Sequence, residues 1–385
     1  MDYKKYFEKA EELYEKYLGV WADVCSIESP THDKEGVDKV CEYFIAMAKE
    51  RGWEIDVNKQ EVAGSPVCIT LNPNVNEKPF CVSGHVDTVF NVGAFGYPVV
   101  KMDEENIYGP GVCDCKGGVV AGIMAMDVLW SCGYNKRPIK MIIQTDEEGG
   151  SSTSNKQTIK YLLDCARDSV AVINLEGSGS VDGKACVQRK GIITCTLKVT
   201  GEEAHSSKCF EAGANAILET AYKIIELEKL KDGEGITCNC AVINGGTKSN
   251  VVPGNCELKI NVRYADQKQR EQVMAYLKEI EKKVYVKGCT SEFIKFVERP
   301  CMQREQRNLD LLDKVNVFMK ECGLDQLEAG KRTGGSDAAY FTIEGIPCLD
   351  NFGTGGGKIH STNEYSPKRS LLLSAKQLIA IALGI

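Results

Sequence analysis

Phe80-Cys81-Val82-Ser83-Gly84-His85-Val86-Asp87-Thr88-Val89 is the stretch whose reading decides the fold. Its apolar run, closed by polar residues, predicts a buried strand. Positions i and i+2 of an extended chain lie on one side, so His85 and Asp87 face the same way. A carboxylate behind a metal-bound imidazole fixes its tautomer and orientation. Taken alone, such a pair is more often a hydrogen-bonded histidine at a strand end.

Working outward, strands and helices alternate. Tyr6, Phe7, Ala10, Leu13, Tyr14, Tyr17 and Leu18 recur at helical spacing. A polar turn holding His32, which suits a solvated or capping role, precedes a helix over 34–51 that Gly52 stops. Strands are predicted over 54–62, 67–71, 80–83, 139–144 and 169–175, and the small-residue segment 117–129 reads as a helix packed closely on a sheet. This order implies an α/β domain with a largely parallel sheet and helices on both faces.

Beyond residue 190 the pattern changes to strand 191–200, helix 215–230, strands 236–243 and 256–264, a helix from Asp266, and strand 290–297. That β-α-β-β-α-β order is the ferredoxin-like split motif. The reading is therefore one domain over 1–189 and 300–385, with a second, ferredoxin-like α+β domain over 190–299 inserted in it. After Pro300 come a helix over 309–322, a strand over 347–349 and a final helix, with Ser366 as its cap and Pro367 at its first position.

A 385-residue chain exceeds a typical single core. A net charge of −7 without a basic cluster argues against nucleic acid. The charged amphipathic start and the lack of any long apolar run predict neither export nor a membrane span. The eighteen scattered cysteines then read as free thiols of a cytoplasmic protein. Cys113-x-Cys115 and Cys238-x-Cys240 fit none of the common thiolate zinc spacings.

Four further stretches put ligands or bases where strands end. Gly109-Pro110-Gly111-Val112-Cys113-Asp114-Cys115-Lys116-Gly117-Gly118 holds Asp114 in a glycine-flanked turn. Thr145-Asp146-Glu147-Glu148-Gly149-Gly150 follows strand 139–144, and its adjacent glutamates point oppositely, suiting different tasks. Leu175-Glu176-Gly177 ends the next strand, and His360 follows Gly355-Gly356-Gly357. Each alone has an ordinary explanation as a cap or a solvated side chain. Together they matter, because ligands of open α/β sheets gather beyond the carboxyl ends of the strands.

The combination resembles the dizinc aminoacylase/carboxypeptidase family of acetylornithine deacetylases, succinyl-diaminopimelate desuccinylases and bacterial glutamate carboxypeptidases. Gly-His-x-Asp-Thr-Val, Gly-x-Gly-x-x-Asp-x-Lys-Gly-Gly, Thr-Asp-Glu-Glu and Gly-Gly-Ser-Asp-Ala occur in order, over nearly the whole chain. The resemblance implies two zinc ions bridged by Asp114, one also held by His85 and Glu176, the other by Glu148 and His360. Manganese or cobalt could replace zinc. It further implies that Asp87 orients His85, that Glu147 is the general base, and that the peptide bond after Asp114 is cis. The inserted domain would be a lid and dimerisation domain. From it His205 would stabilise the oxyanion in the partner subunit of a homodimer, while Asn250 and Arg263 contact the substrate. Gly335 and Ser336, in the Gly-Gly-Ser-Asp-Ala motif, would also touch substrate. The implied activity is hydrolysis of an amide bond to a C-terminal or N-acylated amino acid, and Leu349-Asp350-Asn351-Phe352-Gly353 leans towards the glutamate carboxypeptidase branch.

Two rivals are weaker. The run Gly353–Lys358 fails P-loop spacing, since Phe352 stands where the first glycine is needed and Ile359 follows Lys358. A catalytically silent homologue that binds amino acids or peptides would have no need of all five ligands and a base.

Overall fold

The computed structural model describes residues 3–177, 182–233 and 235–385. The chain divides into two compact units, one of Met1–Gln188, Arg304–Lys331 and Ser336–Ile385, the other of Arg189–Gln303 with Arg332–Gly335.

The first unit is built on a six-stranded sheet in the order Glu54–Val57, Val67–Leu71, Ile139–Gln144, Phe80–His85, Ala171–Asn174 and Cys348–Leu349. The last four run parallel, and the two at the other edge pair antiparallel. Phe80–His85 is buried at every position, which is why its sequence is a run rather than an alternation. Helices cover both faces. On one, helix Lys116–Ser131 approaches so closely that a Cβ on Gly122 would lie 2.9 Å from Met141 Sδ. On the other, the neighbouring Lys140 donates to the Cys165 carbonyl of helix Gln157–Ala166 at 2.8 Å.

Helix Lys116–Ser131 is buried from Lys116 to Leu129 and lies between Lys4–Ser26 and Arg369–Gly384. A helix apolar all round needs such enclosure. Lys116 is fully buried, yet its ammonium donates to the Val24 and Ile27 carbonyls (3.2 and 2.7 Å), satisfying the end of the first helix. Asp127, on the same helix, accepts from Tyr17 Oη (2.7 Å) and from Arg51 Nε and Nη2 (2.9 and 2.7 Å), tying three helices together.

Two boundaries differ from the sequence reading. The strand expected over 54–62 stops at Val57: the Asn58 amide still reaches the Pro66 carbonyl opposite it (3.0 Å), but Pro66 has no N–H to carry the ladder on. The final helix starts at Arg369, two residues late. Ser366 and Pro367 belong instead to a short strand, Tyr365–Pro367, paired antiparallel with Asn106–Tyr108, and the Ser366 hydroxyl donates to the Gly355 carbonyl. Tertiary pairing overrides the local capping preference there.

The second unit has a four-stranded antiparallel sheet in the order Thr237–Gly245, Asn255–Tyr264, Gly191–Thr200 and Thr290–Arg299, with helices Ala216–Glu228 and Gln267–Lys282. This is the ferredoxin-like order. Ile193, Cys195 and Leu197 pair with Val262, Ile260 and Leu258, and all six are buried together with Leu227, Val273, Leu277 and Ile280. Burial of each large aliphatic side chain stabilises by roughly 1.5–3 kcal/mol. Among the described residues no helix is long and apolar enough to cross a membrane.

Candidate metal centre

The parallel strands deliver their side chains at their carboxyl ends. Phe80–His85 ends in His85, Ile139–Gln144 leads into Glu147 and Glu148, and Ala171–Asn174 leads into Glu176. The turn before helix Lys116–Ser131 presents Asp114, and the Asp114–Cys115 peptide bond is cis. Only glycine fits behind this turn. A Cβ on Gly117 would stand 2.3 Å from the Val112 carbonyl oxygen, and one on Gly118 2.3 Å from that of Leu175.

Asp114 occupies the middle of the site. Its Oδ1 is 3.1 Å from His85 Nε2, and its Oδ2 is 3.3 Å from His360 Nε2. His360 Nε2 is also 3.3 Å from Glu148 Oε2, and Glu176 Oε1 stands 3.8 Å from His85 Nε2. Two donor sets result, His85–Asp114–Glu176 and Asp114–Glu148–His360, each with its ligand atoms within 4.8 Å of one another. Neither contains a cysteine, and all eighteen cysteines are free thiols.

His85 Nδ1 lies 3.1 Å from the Asp87 carbonyl and 3.4 Å from its carboxylate. The contact at Nδ1 orients the ring so that Nε2 faces Asp114 and Glu176. Asp87 does more than face the imidazole. Its fully buried carboxylate accepts from the amides of Glu147 (3.1 Å) and Glu148 (3.0 Å) and from the Thr31 hydroxyl (2.8 Å). The two glutamates part company from there. Glu148 joins a donor set, whereas Glu147, nearly buried, stays outside both with Oε2 4.0 Å from His85 Nε2.

Five carboxylates around two imidazoles leave the site short of positive charge. Burial pushes Glu148 up to about 8 against its hydrogen bond with His360. Hydrogen bonds to Asp114 and Glu148 raise His360 to about 10. Burial opposes charge on His85, but Cys115, Asp114 and Asp87 outweigh it and hold the imidazole well above its ordinary value. Asp114 is lowered despite its burial, because both imidazoles bond to it. Divalent cations would supply the same missing charge, and imidazole with carboxylate is a donor set that zinc accepts. The residues present fit such ions.

The other expected residues belong, Ser336 apart, to the second unit. In the second unit His205 opens the loop after strand Gly191–Thr200. Its Nδ1 is 2.8 Å from Ser207 Oγ, and its backbone bridges to Val251, which brings Asn250 into the adjacent loop. Arg263, on Asn255–Tyr264, donates to the Thr333 carbonyl, and Gly335 packs where a Cβ would stand 2.6 Å from Arg299 Cδ. Ser336 belongs to the first unit. It is fully buried, accepting from Asn174 Nδ2 (3.0 Å) and the Ala338 amide (3.1 Å), because the Gly-Gly-Ser-Asp-Ala loop folds its serine into the network below the sheet's carboxyl end. Glu364 escaped the sequence reading. It is buried, pushed up to about 7 by that burial and by Asp114, and it accepts from the amides of the Asp114 turn. The only signal in the sequence was an acid four residues after His360.

A mostly parallel α/β unit with paired imidazole–carboxylate sets, joined to a ferredoxin-like unit, defines a metallohydrolase. Residues 187–289 match the peptidase dimerisation domain of the M20 peptidases. The chain is 25% identical to carboxypeptidase G2 of Pseudomonas sp. (strain RS-16), over 98% of this chain and 92% of that one. It is 24% identical to the succinyl-diaminopimelate desuccinylase of Rickettsia massiliae, over 91% and 94%. The crystal structure of Bacillus subtilis YXEP, described as a dinuclear metal binding peptidase from the M20 family, superposes with a TM-score of 0.70 at 15% identity, over 97% and 98%. The chain is an enzyme homologous to the M20 metallopeptidases.

Proposed function

We propose that the chain hydrolyses the amide bond joining an acyl or peptidyl group to an amino acid with a free α-carboxylate, at a centre of two zinc ions. One observation carries this reading, the division of Asp114 between two imidazoles with a buried carboxylate completing each set and Glu147 beside them but outside both. His85, Asp114 and Glu176 would hold one ion, and Asp114, Glu148 and His360 the other. Bound there, the pair would polarise the scissile carbonyl and make a water acidic enough to attack at neutral pH.

The chain's own residues do the rest. Glu147 takes a proton from the attacking water and passes it to the leaving amine, a task for a carboxylate that is not tied up as a ligand. Asp87 holds the Glu147 and Glu148 amides in place and keeps the His85 proton on Nδ1. Asn250 and Arg263 are the proposed substrate contacts, since guanidinium matches a carboxylate in bidentate fashion. His205 is the proposed oxyanion donor. The relatives named for carboxypeptidase and desuccinylase activity support the amide-cleaving class.

The working form is proposed to be a homodimer. Leu218, Tyr222 and Ile225 make an exposed apolar stripe on helix Ala216–Glu228, and Val242 and Ile243 are exposed on the edge strand Thr237–Gly245. An apolar face beside an unpaired strand edge invites a second copy. The free thiols favour the cytoplasm.

The test is a panel of N-acyl amino acids and dipeptides, assayed on metal-free protein with and without added zinc. Zinc-dependent release of an amino acid is expected. Tight binding of two zinc ions without turnover of any panel member would instead favour a silent homologue.

A further inference from the structure

The loop that presents His360 also carries a buried acid whose task lies 250 residues away in sequence. Gly357 and Tyr365 pair antiparallel, their amides donating to each other's carbonyls at 3.1 and 3.2 Å, so residues 357–365 form a closed loop. Within it the Ser361 amide donates to Lys358 (3.0 Å) and the Glu364 amide to Ser361 (2.9 Å). Glu364 therefore sits at a fixed point of the loop's base, 1% exposed.

Its carboxylate is spent on the opposite turn. Oε1 accepts from the amides of Cys113 (2.9 Å) and Asp114 (3.0 Å), and Oε2 from that of Gly111 (3.4 Å). Its main-chain carbonyl accepts from the Gly109 amide at 3.3 Å. All three side-chain partners are N–H donors, so the position calls for a group that only accepts. A carboxylate meets this demand, while an amide of the same shape would turn its NH₂ against a backbone N–H. Neither Glu364 oxygen belongs to a donor set. The same loop thus sets His360 Nε2 3.3 Å from Asp114 Oδ2 and grips the backbone that carries Asp114.

We propose that Glu364 is a positioning residue of the metal centre: by accepting from three amides of the Asp114 turn, its carboxylate sets the spacing of Asp114 and His360 and so the affinity for the cation those two share with Glu148. The inference rests on the metal-centre reading above. It predicts unequal lesions, the larger at the Asp114–Glu148–His360 set, which takes two ligands from the segments Glu364 joins, and the smaller at the His85–Asp114–Glu176 set, which takes only Asp114 from them.

The test uses the full chain, stripped of metal, as wild type, E364Q, E364D and E364A. Zinc is titrated in competition with a chromophoric chelator, cobalt(II) is followed by its visible absorption, and apo stability by circular dichroism. Wild type should bind two equivalents. E364Q should weaken one of them by about 10–100-fold, as is common when a group supporting a ligand is lost, and the other, which shares only Asp114, by clearly less. The cobalt spectrum of the weakened site should change. H360A should weaken the same equivalent, and E364Q added to H360A should weaken it little further, as expected of coupled positions. E364D should recover part of the affinity. Two equivalents bound as tightly by E364Q as by wild type would overturn the inference. So would equal weakening of both equivalents with a lowered apo melting temperature, the mark of a general structural role. Should E364A not fold, E364Q and E364D still decide. A wild type that binds no zinc would overturn the metal-centre reading itself, an outcome distinct from either.

Discussion

Replacing Asp87 isolates what its carboxylate does for the site. In the native arrangement it accepts from two amides, at 3.1 and 3.0 Å, and from the Thr31 hydroxyl at 2.8 Å. D87A removes all three acceptors. The Thr31 hydroxyl can turn to the Thr88 carbonyl, already 3.4 Å away, but the amides of Glu147 and Glu148 cannot move without moving the loop. A buried donor left without an acceptor costs about 1–3 kcal/mol, so D87A should lose about 2–6 kcal/mol of apo stability. D87N keeps one oxygen and sets its NH₂ against the other amide, so about 1–3 kcal/mol is expected. The measurement is urea unfolding of the metal-free protein, followed by far-ultraviolet circular dichroism. Zinc affinity, read by chelator competition, should fall by about 10–100-fold in both variants, since the Glu148 amide and the His85 ring lose their support. Apo stabilities of D87A and D87N both within about 0.5 kcal/mol of wild type would refute the reasoning, because the two amides would then have found other acceptors at no cost.

Three further outcomes are expected. E147A should lower kcat by about 10²–10⁴-fold while zinc content stays at the wild-type value, and loss of zinc would make Glu147 a ligand. Chains carrying H205A and E147A, each inactive alone, should regain part of the activity when subunits exchange, since one site of the mixed dimer then receives neither lesion; proven heterodimers without recovery would place His205 in its own subunit's work or in none. D127N should destabilise the first unit by about 3–5 kcal/mol, the cost of breaking a buried ion pair by removing one partner. Burial opposes the Asp127 charge, but Arg51 and Tyr17 outweigh it and lower its pKa below 3.8. The stabilisation is therefore present above pH 3.8 and is lost as pH falls through the depressed value. The gap in melting temperature between wild type and D127N should close on the acid side, and a gap independent of pH would refute the pairing.

Much of this protein was legible in one dimension. The alternation of Ile193, Cys195, Leu197 and Val199 announced a sheet with one covered face, because the period of two follows directly from the pleat. The unbroken run at Phe80 announced a strand covered on both faces. His85 and Asp87 share a side for the same local reason, and the Asp114 turn is marked by glycines that nothing larger could replace. Periodicity and local geometry are written into neighbouring residues, so they can be read without the fold. What joins residues far apart leaves no such trace. Nothing near Asp87 signals that it holds the amides of Glu147 and Glu148 some sixty residues on. Ser366 and Pro367 carry good capping chemistry, yet pairing with Asn106–Tyr108 made them a strand. Nothing around Ser336 in the sequence signals that Asn174 donates to its hydroxyl. Glu364 has no periodic context at all, and only the folded chain brings it against the Asp114 turn. Hydrogen bonds between distant segments depend on where the packed core puts each backbone, and that is decided by the sum of burial over the whole chain rather than by any window of it.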